Sequence, residues 1–234
     1  MPIGVITNVL SMALGGLLGS VIGGRLSESL KANMTATFGV CAMSIGISTI
    51  VLMENMPAVI FSVIIGTLVG NLLDIDRFIR RGTAAVLDRL RLGGDIDMPL
   101  MVTATVLFCF SGTGIYGTLV SGMVGDHSIL IAKSVLDFFT AMIFACQLRR
   151  AVALIGIPQL LFMLLLFFSA KLILPLTNDA MIADFKACGG VVLLATGFTI
   201  MKVKSIPVAN MIPAMVIVMP VSWFWMNVLA PMLG

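Results

Sequence analysis

The sequence predicts an all-α polytopic membrane protein with about eight transmembrane helices, or seven if the short third segment does not span. Three observations carry this. First, 59% of the 234 residues are hydrophobic and 11% are charged, against roughly a quarter charged in soluble domains. Second, the mean hydropathy is +1.14, and a fold of this size leaves too much area exposed to hide that much apolar surface from water. Third, apolar runs of the length that crosses a hydrocarbon layer recur along the chain. Helices are the expected element, because an open sheet would leave backbone groups unpaired in lipid.

The expected spans are 3–24, 32–53, 57–73, 99–123, 127–147, 151–174, 182–201 and 206–230. The first has no basic start before its apolar run, so it reads as a retained helix rather than a cleaved signal. It holds Gly15, Gly19 and Gly23 four apart, and the third span repeats the spacing with Gly66 and Gly70. Small residues at that interval suit close helix contact. Asn8 is a polar candidate near the outer end of span one. Between spans three and four lies "DIDRFIRRGTAAVLDRLRLGGDID", Asp74 to Asp97. Ile75, Phe78, Ile79, Val86 and Leu90 recur there at helical spacing opposite arginines, which reads as an interfacial amphipathic helix. The fourth span is interrupted by "SGTG". The eighth contains Pro213 and Pro220, where a kink is expected.

Lysines and arginines cluster in alternate connections. They are Arg25 and Lys31; Arg77, Arg80, Arg81, Arg89 and Arg91; Arg149 and Arg150; and Lys202 and Lys204. The other connections are cation-poor, with Glu54, then Asp126, then Asp179 and Asp184 beside Lys186. The positive-inside rule places the first set in the cytoplasm and both termini outside.

Two stretches resemble each other. Ala32, Ala36, Gly39 and Gly46 align without gaps with Ala183, Ala187, Gly190 and Gly197, and "NMPA" at Asn55 matches "NMIPA" at Asn210. The first copy is basic before its helix and acidic after it. The second is acidic before and basic after. The expectation is a single transmembrane domain over 1–234. It would hold a repeat at 1–73, a cytoplasmic amphipathic connection at 74–98, two linking helices over 99–150 and an inverted repeat at 151–234. Transport sites form between such copies near the midplane.

Two features could carry chemistry. Lys133 and Asp137 stand four apart in "IAKSVLDFFTAM", on one helical face and deep in an apolar run. A charge at that depth costs about 2.5–3.5 kcal/mol even on the gentlest insertion scales. The face must therefore point into the bundle, as an ion, proton or substrate contact or as a neutralised pair that locks packing. The second feature is "FCFSGTGIYG", where Gly112 and Gly114 flank Thr113, with Ser111 and Tyr116 as further polar candidates. Such a stretch loosens a helix and frees carbonyls for an ion, or packs it closely through small residues.

The four cysteines lie in or beside apolar segments without ligand spacing. They read as small hydrophobes, not as a disulfide or metal site. His127, the only histidine, has no triad partner, and no HExxH, GxSxG or Walker pattern occurs. No enzyme activity, metal or cofactor is expected, and the small net charge of +3 points to no nucleic acid.

The motifs "GVITNVLSMALGGLLG", "NMPAVIFSVIIGTLVG", "FCFSGTGIYG", "IAKSVLDFFTA" and "NMIPAMVI" resemble, over essentially the whole chain, the YqgA/YdfK-like bacterial inner-membrane proteins grouped as domain of unknown function 554. The resemblance implies a multi-pass protein of the bacterial inner membrane and, by extension, transport. It brings no substrate, cofactor or catalytic residue. The expected function is transport of a small solute or ion by alternating access, with the Lys133/Asp137 face and the broken fourth span as its centre. The alternatives are a channel-like homo-oligomer and a non-transporting scaffold or signalling protein.

Overall fold

A computed structural model describes residues 1–22, 27–89 and 97–233. Helices form almost all of it, and no strand occurs among the described residues. They are α1 Ile3–Ile22, α2 Glu28–Ile50, α3 Met56–Leu72, α4 Ile75–Arg89, α5 Met98–Phe110, α6 Gly112–Val124, α7 Ser128–Leu148, α8 Ala151–Leu154, α9 Gly156–Ile173, α10 Asp179–Ile200, α11 Ile212–Phe224 and α12 Ala230–Leu233.

Seven helical segments among the described residues are long and apolar enough to cross a membrane. An eighth is reached when α3 (17 residues) is joined to α4 across a 51° bend. The bend falls at Asp74, whose φ is +48°. Along α9, Ile157, Leu161, Leu165, Phe168 and Leu172 form an exposed apolar stripe, each more than half accessible. Such a face is unsuited to water, and lipid is its solvent. The chain is a membrane protein.

Element boundaries follow local chemistry. Asp97 caps α5 by accepting from the Leu100 N–H at 3.0 Å, and Asn178 caps α10 by accepting from the Met181 N–H at 2.9 Å. Gly125 ends α6 in the left-handed region at φ +74°, a position where glycine carries no steric penalty. The eighth span departs from the sequence expectation. Pro213 lies in the first turn of α11, where its missing N–H costs nothing, so it does not kink the helix. Only Pro220 is internal, and the helix beyond it opens into a π-helical turn over Trp225–Leu229.

The chain divides into two compact units, Met1–Phe38 with Arg77–Leu172, and Gly39–Asp76 with Ile173–Gly234. Each unit draws helices from both copies of the sequence repeat.

In the first unit α1 runs along α7, which also meets α5, α6 and α8. A Cβ on Gly15 would fall on the Phe138 carbonyl, and one on Gly19 on the Met142 backbone. Backbone, not side chain, occupies those places, so nothing larger than glycine fits. Gly23 lies outside the described residues. Met12, Met101, Phe108, Ala141, Ala145 and Val152 fill the core beside this seam.

In the second unit α3 runs along α11, and α10 packs on both. Gly66 abuts the Ala214 backbone and Gly70 the Asn210 carbonyl. The antiparallel pair α2 and α10 is more informative. A Cβ on Gly46 would lie 2.7 Å from the Gly190 carbonyl oxygen, and one on Gly190 would lie 2.7 Å from that of Gly46. Gly39 and Gly197 face each other likewise. Gly39 meets Met201 while Gly190 meets Ile50, and Gly197 meets Met43 while Gly46 meets Leu194. Under the gapless alignment of the two copies, each contact is the image of another. That is the signature of an isologous contact about a local two-fold axis.

Candidate functional site

Four buried polar side chains of the first unit come together. Lys133 and Asp137 are 3% and 7% exposed and form an i, i+4 ion pair within α7. Asp137 stands nine residues inside α7, about 14 Å along its axis at ~1.5 Å per residue. The depth read from the sequence is therefore the depth of the folded helix.

Two side chains from other helices complete the cluster. Asn8 of α1, fully buried, donates through Nδ2 to Asp137 Oδ2 at 2.9 Å. Gln159 of α9, also fully buried, donates through Nε2 to Asn8 Oδ1 at 2.9 Å. The same Nε2 lies 3.4 Å from the Phe108 carbonyl oxygen, in the last turn of α5, where helix carbonyls lack intrahelical partners. Polar groups from α1, α5, α7 and α9 thus form one chain, Lys133–Asp137–Asn8–Gln159–Phe108. Each partner also relieves part of the cost of burying the next.

The fourth span breaks beside this chain. Ser111 is extended, at φ −68° and ψ 146°, and separates α5 from α6. Its hydroxyl accepts from the Gly114 N–H at 3.2 Å, capping α6. Gly114 has no side chain where one would meet Lys133 Cε and Ser111 Oγ, each 3.1 Å from an ideal Cβ. The Lys133 stem therefore lies over the glycine at the start of α6. Thr113 and Tyr116 are buried. At 100° per residue they sit about 100° and 200° around α6 from Gly114. Gly112 opens α6. His127 is half-buried, its Nδ1 2.7 Å from Ser121 Oγ, at the N-terminal end of α7.

The sequence left Gln159 and Thr118 unnoticed. Gln159 follows the one-residue break at Ile155 between α8 and α9, and its only visible signal is a lone amide in an apolar run. Asp184 needs correction. The sequence places it in a connection, but it lies inside α10 and is fully buried. Its Oδ1 accepts the backbone N–H groups of Glu54 and Asn55 at 3.0 and 2.8 Å. Its Oδ2 accepts Asn55 Nδ2 and Ser222 Oγ at 2.9 and 2.6 Å. Four donors thus hold the carboxylate at the start of α3. At the other end of α3 Asn210 Nδ2 donates to Asn71 Oδ1 at 2.8 Å, and its Oδ1 accepts the Asp76 N–H at 2.7 Å.

Comparison with known proteins gives a family. The family described as "Protein of unknown function (DUF554)" matches residues 3–223. The chain is 44% identical over 230 residues to the uncharacterized protein YqgA of Escherichia coli (strain K12), covering 96% of this chain and 98% of that one. It is 22% identical over 219 residues to the uncharacterized membrane protein YdfK of Bacillus subtilis (strain 168), covering 92% and 93%. No solved structure matches significantly.

Proposed function

The chain belongs to the DUF554 family, and from there we propose that it carries a small polar solute or ion across the bacterial cytoplasmic membrane by alternating access. One observation carries the reading. A buried chain of polar groups, Lys133, Asp137, Asn8 and Gln159, crosses three helices at mid-span, beside a helix broken at Ser111. Ionisable residues at that depth are costly and mark pathways in membrane proteins. Broken helices present backbone groups to cargo without exposing them to lipid. The local two-fold relation of α2 and α10 supports an inverted-repeat carrier.

In this reading Asp137 contacts a cation or a positively charged group, and Lys133 is its partner or the contact for an anionic group. Asn8 and Gln159 hold the carboxylate in register. The protein is a carrier and not an enzyme, and both termini face outward. The Bacillus subtilis relative is named a membrane protein and both relatives are bacterial, which supports a bacterial membrane as its place.

The test is uptake into proteoliposomes, screened over labelled amino acids, organic acids, sugars and inorganic ions. Asp137→Asn and Lys133→Ala should each abolish whatever uptake the unaltered protein shows. Uptake that survives both substitutions would remove the site from the mechanism. A second reading is favoured by one fact, that Lys133 and Asp137 already bond each other. The pair would then only lock helix packing. That reading predicts folded variants that have lost stability but retain any uptake.

A further inference from the structure

We propose that the Lys133/Asp137 cluster binds a small zwitterion of the amino-acid type, with its ammonium on Asp137 and Gln159 and its carboxylate on Lys133. The inference deepens the transport reading by naming the substrate class of the same site.

The argument starts from the valences left open. Among the described residues, Lys133 uses one of its three N–H donors, on Asp137. Both hydrogen bonds described for Asp137 fall on Oδ2. Gln159 Oε1 is buried without a partner, and so is Thr118 Oγ1. Both residues are fully buried, and buried polar atoms of this kind are nearly always paired. Thr118 lies one turn beyond Gly114, next to Gly117, which meets Ile129 and Leu130, a turn of α7 away from Lys133 and two from Asp137. The cluster itself has unused N–H groups on Lys133 and an unfilled acceptor on Gln159.

Charge then selects the ligand. The pair is neutral as it stands. A lone cation taking Asp137 would leave Lys133 unmatched, and a lone anion taking Lys133 would strand Asp137. Either leaves an uncompensated charge at mid-membrane depth, which is strongly unfavourable. A zwitterion exchanges partners one for one. Its ammonium replaces Lys133 on Asp137, its carboxylate replaces Asp137 on Lys133, and no charge is left over. A primary ammonium also brings three N–H donors, enough for Asp137 and for the orphaned Gln159 oxygen. The anionic end would lie toward the start of α6, a thirteen-residue helix whose N-terminal dipole favours negative charge.

The experiment uses the full-length protein in nanodiscs, titrated with glycine, L-alanine, β-alanine and γ-aminobutyrate, which differ in charge separation. Binding is read by calorimetry and by the unfolding temperature, at low millimolar concentration to avoid osmolyte exclusion effects. At least one of the four should bind saturably and raise the unfolding temperature. Propionate, ethylamine and glycine betaine, which lacks N–H donors, should not. Gln159→Leu should weaken the bound zwitterion about tenfold or more, since one hydrogen bond to a charged group is lost. Gln159→Met takes its place if Gln159→Leu does not fold. No binding by any of the four overturns the proposal, as does equal binding by propionate, ethylamine or betaine, or an unchanged affinity in the folded variant. The two readings fail separately. Asp137-dependent uptake of another solute without zwitterion binding removes this proposal and leaves transport standing. Zwitterion binding without uptake removes transport and leaves the site.

Discussion

Replacing Lys133 by Met and Asp137 by Leu, singly and together, examines the geometry on which the site rests. The pair is 3% and 7% exposed, so water screens it little. Removing one partner of such a pair costs about 3–5 kcal/mol, because the other charge stays buried and uncompensated. Replacing both with apolar groups of similar volume is close to neutral. The single variants should also differ. Lys133→Met leaves Asp137 with the Asn8 amide. Asp137→Leu strands both the Lys133 ammonium and Asn8 Nδ2, and a second orphaned donor adds about 1–3 kcal/mol. The expected order of stability is unaltered protein, then the double variant, about 1–3 kcal/mol lower because Asn8 Nδ2 still loses its acceptor, then Lys133→Met, then Asp137→Leu. The gap from top to bottom is a thousandfold or more in the unfolding constant, at about tenfold per 1.4 kcal/mol. Equilibrium unfolding in mixed detergent micelles measures it. Single losses below about 1 kcal/mol, the range of exposed pairs, would refute the buried assignment. So would a double variant whose loss is the sum of the singles.

Three further outcomes follow from the same coordinates. Gly46→Ala and Gly197→Ala, which the two-fold relates, should destabilise by similar amounts, about 1–3 kcal/mol each by overpacking, because each new methyl would meet the facing glycine's carbonyl, at 2.7 and 2.8 Å; clearly unequal losses in thermal unfolding would count against the two-fold contact. Asp184→Ala should cost about 3 kcal/mol or more, since several buried donors lose one charged acceptor. Asp184→Asn should cost less but not recover fully, and a neutral result for either in the same assay would show the donors rehydrated. An alkaline phosphatase fused to the C terminus should be active, reporting a periplasmic end as the distribution of Lys and Arg requires; a cytoplasmic C terminus would overturn that topology.

The spans were legible because their signals are local. Hydropathy, length and flanking charge are written into each segment, and every expected span is found within a few residues of its place. The break at Ser111 was legible for the same reason, since "SGTG" in an apolar run loosens a helix wherever the chain goes next. The depth and shared face of Lys133 and Asp137 came from counting along one helix. The partners did not. Asn8 and Gln159 are 151 residues apart, and a lone amide in an apolar helix does not name what it will meet. The matched glycines revealed a repeat, yet the alignment could not say that Gly39 would face Gly197 or Gly46 face Gly190. Asp184 was misread because an acidic residue near the head of a helix looks like a loop charge. Its burial depends on donors at Glu54, Asn55 and Ser222, which only the fold assembles.

The two buried carboxylates differ in a way that bears on function. Asp184 receives two backbone N–H groups, an amide and a hydroxyl, spread over both oxygens. Its donors belong to fixed backbone and short side chains, so the bonds end where they begin and nothing else can take their place cheaply. Asp137 is held otherwise. Its described bonds come from a long lysine and one amide, both on the same oxygen. Lys133 carries its charge on a flexible four-carbon stem with further donors to offer, and the stem lies over a glycine that leaves it room. A carboxylate closed by four short donors fixes a helix start. A carboxylate held by a long-stemmed cation, in a cluster with an orphaned Gln159 oxygen, can exchange partners. Substitution at Asp184 should therefore move stability first. Substitution at Gln159 should lower ligand affinity beyond its effect on stability, because its Oε1 is open to a ligand while its Nε2 bonds Asn8 and the Phe108 carbonyl. That separation of effects distinguishes a structural carboxylate from a binding one within a single chain.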